Sequence, residues 1–333
     1  MPETQTADML DTFMRDQLLD RRHKLQHAVA ESAHAPQLHA LLSEVDNALA
    51  RMDCGSFGIC EYCHTPVETD RLIADPLTRF CLNHLNKEQR DALEHDLQLA
   101  AQVQRALLPQ QDLMCCGWHV AHHYEPVGIV SGDYFDIVDA GENGFYFMVG
   151  DVSGKGVAAS MLMAHLHAMF RTLISVGLPL EQILSHATRV FCESTLPNQY
   201  ATLICGRAEP NGRVVIVNAG HPPPLHVHDG AVTPVEASGL PVGMFCNEQF
   251  LAGELNLRPG HSLLMYTDGI SEASDSSGAQ YGSDRLCKLI ARSRCANPSQ
   301  LIAACRDDLR LFCNGSLKSD DTTIVVLGRM AIA

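Results

Sequence analysis

The chain has 333 residues, of which 46% are hydrophobic and 19% are charged, a composition typical of a soluble globular protein with two or three compact units. The formal charge of −15 argues against a general nucleic-acid binder, because phosphate backbones are bound through Lys and Arg. The sequence shows neither an apolar run of ~18 residues nor an N-terminal signal pattern, which indicates a cytoplasmic protein without a membrane partner.

The cysteine content indicates reduced thiols and a metal site rather than a disulfide framework. The chain has 13 cysteines, an odd number, and no export signal. Disulfides persist mainly in exported proteins, whereas close cysteine pairs inside cells more often bind metal. We therefore expect the cysteines outside a metal cluster to be free thiols.

The N-terminal third is predicted to be helical. Residues 7–52 read as two helical pieces broken near "SAHAPQ". A further helix is predicted over 87–108, with Pro109 ending it. The apolar residues of this helix form a short heptad seam. Such a short seam is marginal alone, so it predicts pairing with a second copy of the chain or with the N-terminal helices. The apolar residues of this seam repeat close to a heptad: Leu93, Leu97, Ala100, Val103 and Leu107.

Between these helices lies a segment with the spacing of a zinc site. Cys60 and Cys63 form one close pair, 17 residues follow, and Cys81 and His84 form a second pair. Two such pairs can close a tetrahedron of sulfur and nitrogen ligands around Zn²⁺, and a site with four protein ligands is structural by default. The alternatives are buried thiols without a metal, or thiols that respond to oxidation.

From about residue 113 the sequence becomes rich in short β-strands. Helices are predicted near 157–176, 179–194, 283–293 and 298–313, and the strands come in runs rather than alternating strictly with helices. This order predicts an α+β fold of antiparallel sheets flanked by helices, not a parallel doubly wound sheet. The predicted strands are "DYFDIVDA", "GFYFMVGDV", "YATLICGRA", "RVVIVNAG", "HSLLMYTDG" and "DTTIVVLG".

Aspartates recur where the predicted strands end. One such aspartate is an ordinary turn residue, but several at one sheet rim would repel each other unless cations neutralised them. Mg²⁺ and Mn²⁺ prefer oxygen ligands, and two such ions can clamp a phosphoryl group and activate water. The pattern therefore predicts a hydrolase of phosphate esters without a protein nucleophile. The aspartates are Asp133, Asp136, Asp151, Asp268, Asp320 and Asp321.

The stretch "GDVSGKG" is not a nucleotide-binding loop. The interval from Gly150 to Gly154 is one residue short of a Walker loop, and Gly156 stands where that loop needs Ser or Thr for Mg²⁺. The two later glycines instead allow a tight turn from strand into helix. We interpret Lys155 as a solvated or gating residue, not as a phosphate anchor.

Seven motifs in order resemble the PPM-family serine/threonine phosphatases of the SpoIIE/RsbU type, over about residues 98–329. They are "AAQVQRALLP", "SGDYFD", "GDVSGKGVAASMLMA", "NAGHPPPL", "LPVGM", "YTDGISEA" and "DDTTIVVL". The resemblance implies an α-β-β-α sandwich that holds two Mn²⁺ or Mg²⁺ ions between loops at one edge. The catalytic and metal-binding residues that it implies are Asp133, Asp151 as the bridging ligand, Val152 through its backbone carbonyl, Asp268 and Asp320.

The same resemblance assigns further roles near the metals. Asp136 and Asp321 would support the ligands or replace one of them, with ordinary turn residues as the alternative. The helix that follows Gly154, Lys155 and Gly156 is linked in this family to regulation of metal binding. Ser153 stands where eukaryotic members carry a histidine general acid, so water would protonate the leaving group. No arginine that grips the substrate phosphate is evident in the sequence.

Residues 38–86 resemble a DksA/TraR-type zinc finger. The matching features are "EVDNALARMDCGSFGIC", "RLIADP" and the two metal-ligand pairs. This resemblance implies a module with structural Zn²⁺ and names RNA polymerase as a partner. His84 departs from the pattern, and no acidic-tipped hairpin is evident in the sequence, which argues against polymerase binding.

The sequence thus predicts three parts: a helical region with the zinc finger (1–86), a linker helix that dimerises the chain (87–112) and a phosphatase domain (113–333). The expected substrate, by resemblance, is a phosphorylated STAS-domain antagonist of an anti-sigma factor, with an upstream regulator acting on the N-terminal module. The alternative is a DksA-like transcription regulator, or a zinc or redox sensor, that uses the phosphatase fold as a scaffold. The complete set of aspartates argues against a scaffold, because only catalysis requires it.

Overall fold

The computed structural model describes residues 3–31, 36–84, 87–196, 198–236, 238–293, 295, 297–316, 318 and 320–330. The chain divides into two compact units, Met1–Glu94 and His95–Ala333. The finer division into three parts, with boundaries at 86 and 112, stays a prediction.

The first unit is mainly helical. It contains α1 (Glu3–Glu31), α2 (Pro36–Asp53), α3 (Thr69–Ala74) and a 3-10 turn at Leu82–His84. The first two helices correspond to the two predicted pieces, and most of the predicted break lies outside the described residues. Their shared apolar cluster contains Leu18, Leu25, Val45, Ala48 and Leu49.

Helix α4 (Lys87–Leu107) packs on a face that overlaps the predicted seam. Leu97, Ala100 and Leu107 of the seam are half-buried. Ala101 and Gln104 are buried, whereas Val103 is 62% exposed. The Gln104 side-chain amide donates to the Ser131 carbonyl at 2.6 Å and accepts from the Ser131 N–H at 3.0 Å. Because hydrophobic periodicity does not detect a buried amide whose hydrogen bonds are satisfied, the apolar pattern did not reveal the packing of Gln104 against Ser131.

Two antiparallel sheets form the centre of the second unit. The strands are β1 (Leu113–Cys115), β2 (Trp118–Glu125), β3 (Asp133–Asp139), β4 (Phe145–Val152), β5 (Ala201–Ala208), β6 (Arg213–Ala219), β7 (Leu225–His228), β8 (Ala231–Pro234), β9 (Gly253–Asn256), β10 (Ser262–Tyr266) and β11 (Thr322–Arg329). One sheet has the order β1-β2-β11-β10-β7-β8 and the other β3-β4-β5-β6-β9. Side chains of both sheets share one large core.

Helices cover the outer faces of the two sheets. The helices are α5 (Gly156–Ser175), α6 (Leu180–Ser194), α7 (Asp268–Ser271), α8 (Ser283–Arg292) and α9 (Pro298–Cys313). The pair α5 and α6 lies on the sheet that begins with β3, and α8 and α9 lie on the other. Although α5 is long and apolar enough to cross a membrane by composition, it buries Met163, Leu166 and Phe170 in the core, as a core helix does.

This architecture confirms the predicted α+β sandwich of two antiparallel sheets flanked by helices. The six predicted strands and the four predicted helices of this unit all occur within a few residues of their expected positions. Short strands such as β7, β8 and β9 were not predicted, because four residues give too little alternation to identify a strand.

One cysteine pair contradicts the expectation of free thiols. Cys192 on α6 and Cys246 in the loop before β9 form a disulfide, with their Cα atoms 5.6 Å apart. The two residues are 54 positions apart in sequence, so only the folding of that loop onto α6 brings them together. The remaining cysteines are free.

Candidate active site

Asp133 and Asp151 face each other across the β3–β4 pair. Their Cα atoms are direct partners in the antiparallel register, so both side chains lie on the same face of the sheet. Asp133 is 1% exposed, and its Oδ2 accepts hydrogen bonds from the hydroxyls of Thr323 on β11 and of Thr267, which directly follows β10. Burial, and then the charge of Asp151, raise the pKa of Asp133 well above its usual value.

Asp268 and Asp320 complete the cluster around Asp151. Asp268 begins α7 just after β10, and Asp320 lies just before β11. Burial, followed by the charges of Asp268, Asp320 and Asp321, raises the pKa of Asp151 to about 7. Burial and then Asp320 also raise the pKa of Asp268. The structure therefore brings five predicted residues together, and we call them the acidic cluster: Asp133, Asp151, Asp268, Asp320 and Asp321.

The last two members of the acidic cluster have different partners. Asp321 accepts the N–H of Val127 at 2.7 Å and the N–H of Gly132 at 3.1 Å, so it holds the loop that precedes Asp133. Asp320 instead forms an ion pair with Lys155, with Nζ and Oδ2 2.9 Å apart. The Lys155 side chain is 70% exposed, which places its charge at the rim of the site.

Two glycines make room for the acidic cluster. A Cβ atom on Gly132 would lie 3.1 Å from Oδ1 of Asp151 and 3.1 Å from the Val152 carbonyl oxygen. That carbonyl therefore faces the same space as the Asp151 carboxylate. A Cβ atom on Gly269 would lie only 1.8 Å from the backbone carbonyl oxygen of Asp321. Side chains at these two positions would fill the space between the ligands.

The donor set fits hard divalent cations. Mg²⁺ and Mn²⁺ are bound by carboxylate and carbonyl oxygens, which are the atoms that converge here. The raised pKa values of Asp133, Asp151 and Asp268 mean that these buried carboxylates lack sufficient compensating positive charge in the protein itself. A pair of divalent cations would supply that charge.

Asp136 lies apart from the acidic cluster. It is three residues along β3 from Asp133, and alternation along a strand directs the two side chains to opposite faces. Its carboxylate accepts two hydrogen bonds from Arg171 on α5, both at 2.8 Å, and its Oδ2 lies 3.5 Å from Nε2 of His167. This ion pair accounts for the burial of Asp136, so we do not retain it as an alternative metal ligand.

The turn between β4 and α5 has the shape that its glycines predict. Gly154 and Gly156 have φ angles of +100° and +70°, a region that side chains other than glycine rarely adopt. Ser153, at the position of the family's histidine acid, accepts the N–H of Tyr200 at 3.0 Å. Its hydroxyl oxygen therefore holds two loops together.

Several residues that hold the acidic cluster in place were not predicted from the sequence. Thr267 and Thr323 bind Asp133, and each lies next to or near a predicted ligand in "YTDG" and "DDTT". Gly132 directly precedes Asp133 in "SGD", but a close approach of backbone and carboxylate leaves no mark on sequence periodicity. Gln104 lies in the motif "AAQVQRALLP", but the helix was interpreted only for its apolar residues, so its contact with Ser131 was not predicted.

A cavity of about 490 Å³ opens beside Asp320. Its lining combines apolar side chains, among them Ile270, with the charged side chains Arg306, Arg310 and Lys318. Lys318 forms an ion pair with Glu125 at 3.3 Å, whereas no ion pair is found for either arginine in the described part of the chain.

The four predicted zinc ligands meet in the first unit. One ligand atom from each of Cys60, Cys63, Cys81 and His84 lies within 4.8 Å of the others. Sγ of Cys63 and Sγ of Cys81 are 3.7 Å apart, and Sγ of Cys60 and Nδ1 of His84 are 3.8 Å apart. Tetrahedral Zn²⁺ with its usual bond lengths separates such ligand atoms by about 3.6–3.8 Å. Sγ of Cys81 and Nδ1 of His84 are 3.1 Å apart, so these residues fit zinc after a small separation of that pair.

The chain is similar to proteins of known families in its second unit. The family model for stage II sporulation protein E (SpoIIE) matches residues 141–330, more than half of the chain. The RsbU and RsbW domains of a Mycobacterium tuberculosis protein, seen in a crystal structure, share 27% identity, with a TM-score of 0.57 over 65% of this chain and 62% of that one.

Two curated relatives have similar levels of identity. Phosphoserine phosphatase RsbU of Bacillus subtilis is 25% identical over 244 residues, which cover 71% of this chain and 71% of RsbU. Protein IcfG of Synechocystis is 25% identical over 273 residues, which cover 73% of this chain. The match spans only 43% of IcfG, so this chain corresponds to less than half of that protein.

Proposed function

Because the chain belongs to the family of stage II sporulation protein E, we propose that it is a metal-dependent phosphatase that acts on phosphoserine and phosphothreonine in proteins. The observation that carries the proposal is the convergence of the acidic cluster at one rim between the two sheets, where burial and mutual repulsion raise the pKa of Asp151 to about 7. The similarity to phosphoserine phosphatase RsbU supports the same reaction.

In the proposed reaction the chain's own residues would hold the metal ions and orient the substrate, and none of them would attack the substrate. Two Mn²⁺ or Mg²⁺ ions, when bound, would activate a water molecule and neutralise the phosphoryl oxygens. Asp151 would hold the ions together with Asp268 and Asp320, whose charges both act on it. Asp133 and the Val152 carbonyl complete the oxygen ligands.

We propose that Lys155 regulates access of a cation to Asp320. Its ammonium group lies 2.9 Å from Oδ2 of Asp320, so a cation held by this carboxylate would compete with Lys155 for the same oxygen. Gly154 and Gly156 give the loop the backbone freedom that this exchange requires.

Hydrolysis of a phosphoserine peptide and of p-nitrophenyl phosphate by the full chain tests the proposal. We expect turnover with Mn²⁺ or Mg²⁺ and none after chelation, because the aspartates alone cannot neutralise the phosphoryl charge. If Mn²⁺ but not Zn²⁺ restores turnover after chelation, the activity depends on the acidic cluster and not on the Cys/His site. Lack of turnover by folded protein with any divalent cation would favour the alternative in which the fold is a scaffold.

For the substrate we propose a small phosphorylated STAS-domain antagonist of an anti-sigma factor, as the SpoIIE/RsbU-type resemblance implies. The cavity beside Asp320 supports a protein substrate, since its apolar and arginine side chains can bind a polypeptide next to the phosphoryl group. We expect Arg306→Ala to raise KM for the phosphoprotein about tenfold, the effect of losing one charged contact. KM for p-nitrophenyl phosphate should stay unchanged, and an equal rise for both substrates would contradict a role in binding the polypeptide.

We propose that the first unit binds one structural Zn²⁺ and receives the regulatory signal, from a cytoplasmic partner. Metal analysis should find one zinc per chain fewer in Cys60→Ser than in the wild type. We also propose that α4 forms a homodimer, because Val103 remains 62% exposed on it. A monomer in light scattering at high concentration would exclude the dimer.

A further inference from the structure

Three histidines and an aspartate meet at the start of β10, and we call His226, His228, Asp229 and His261 the histidine cluster. His226 and His228 lie on one face of β7 because side chains alternate along a strand. The pairing of Ser262 with Val227 places His261 across from His228. Seven residues of extended chain separate His261 from Asp268, on the order of 20 Å, so the histidine cluster is distinct from the acidic cluster.

The three imidazole rings are neighbours, but the donor atoms of the histidine cluster are not grouped within 4.8 Å as those of the Cys/His site are, so the rings must rotate to share one ion. The ring centroids of His226 and His228 are 4.5 Å apart, those of His226 and His261 5.4 Å, and those of His228 and His261 5.7 Å. Metal–nitrogen distances of about 2.0–2.1 Å place ring centres about 5 Å from each other around a tetrahedral ion. The observed separations bracket that value.

The turn between β7 and β8 brings a carboxylate to the rings. Asp229 and Gly230 have φ angles of +48° and +79°, as in the two-residue turns that favour Asp-Gly. Oδ2 of Asp229 lies 3.7 Å from Nε2 of His261. The Asp229 side chain is 78% exposed, so it can rotate toward an ion without disturbing the core.

Two ring nitrogens in the histidine cluster lack partners. Nε2 of His226 and Nδ1 of His261 are buried, and neither has a hydrogen-bond partner among the residues that the structure describes. Such a buried polar atom costs about 1–3 kcal/mol, so its retention calls for a compensating interaction.

We propose that the histidine cluster binds a divalent transition-metal ion of the zinc class. Three imidazoles and one carboxylate, with no thiolate, are donors that suit Zn²⁺, Ni²⁺ or Cu²⁺ rather than Mg²⁺. The ion gives a partner to an orphaned ring nitrogen and joins the β7–β8 hairpin to β10. Its role is therefore to stabilise this edge of the sheet, and it takes no part in phosphate hydrolysis.

Nickel binding to the chelator-treated full chain, in excess Mg²⁺ to occupy the acidic cluster, tests this proposal. We expect His228→Asn to bind one Ni²⁺ fewer than the wild type, or to bind it at least about 100-fold more weakly. Ni²⁺ should also raise the Tm of the wild type more than that of the variant. The matched control is His119→Asn, in the same sheet but near Asp112, which should bind nickel as the wild type does.

The Cys/His site of the first unit is unchanged in every variant, so its own nickel cancels in the comparison. Asp229→Asn preserves the turn and should weaken nickel binding about tenfold, which keeps the test decisive if His228→Asn does not fold. Equal nickel stoichiometry and affinity in the wild type and in the folded cluster variants would overturn the proposal. Loss of nickel in His119→Asn alone would do so as well, by assigning the ion to the neighbouring histidines.

Discussion

Replacing Asp151 by asparagine is expected to lower the metal-dependent kcat/KM by at least about 10³-fold, equivalent to roughly 4 kcal/mol of transition-state stabilisation. Asp151 is the carboxylate on which the charges of Asp268, Asp320 and Asp321 all act, so its loss affects every cation in the acidic cluster. Steady-state hydrolysis of p-nitrophenyl phosphate across Mn²⁺ concentrations measures the effect. Asp139→Asn, on the same β3–β4 hairpin but at its far end, is the matched control and should retain full activity.

The same substitution should change how stability depends on pH in chelator-treated protein. The pKa of Asp151 is raised to about 7 from an ordinary value of 3.8, so the folded state binds this proton more tightly than the unfolded state. The resulting stabilisation is complete below about pH 4 and is lost as the pH rises through 7. Asp151→Asn should therefore flatten the fall in Tm between pH 4 and 7 by about 3 °C or more. Parallel Tm curves for the two proteins would contradict the burial of this charge among other carboxylates.

Replacing Gly269 by alanine is expected to lower kcat/KM by about 100-fold or more, although it adds only one methyl group. The new Cβ would lie 1.8 Å from the Asp321 carbonyl oxygen and 2.9 Å from its carbonyl carbon, both backbone atoms that cannot rotate away. The start of α7 must then shift, and Asp268 shifts with it. A displacement of about 1 Å in a positioning group typically costs 10²-fold in rate.

Gly253→Ala is the control for this prediction. The nearest atom to a Cβ at that position is the Ile216 carbonyl oxygen at 3.8 Å, an ordinary contact. We expect Gly269→Ala to need more Mn²⁺ for half-maximal activity, and Gly253→Ala to behave as the wild type. If Gly269→Ala kept both wild-type activity and wild-type Mn²⁺ dependence, the close contact of α7 with the start of β11 would not exist in solution.

The sequence by itself determined the six strands and four helices predicted for the second unit, the fold class, and the aspartates that form the acidic cluster. Segments such as "FYFMVGD" and "SLLMYTD" are mostly apolar and end in an aspartate. This pattern identifies a buried strand and an acidic residue at its end without a structure. The spacing of the Cys60–Cys63 and Cys81–His84 pairs likewise identified residues that meet in space. Each strand end and each ligand pair could be predicted because it depends on neighbours within a few residues along the chain, whereas the sheets bring the separate aspartates together.

Only the tertiary structure decided which polar residues serve which site. Asp136 looked like Asp133 in sequence, but the alternation of β3 directs it to Arg171 on α5. Gln104 packs inward and bonds to Ser131, and Cys192 forms a disulfide with Cys246, 54 positions further along the chain. The histidine cluster likewise depends on the register between β7 and β10. Long-range pairing sets all of these contacts, and a pairing between distant strands, helices or loops leaves no periodic trace in a single sequence.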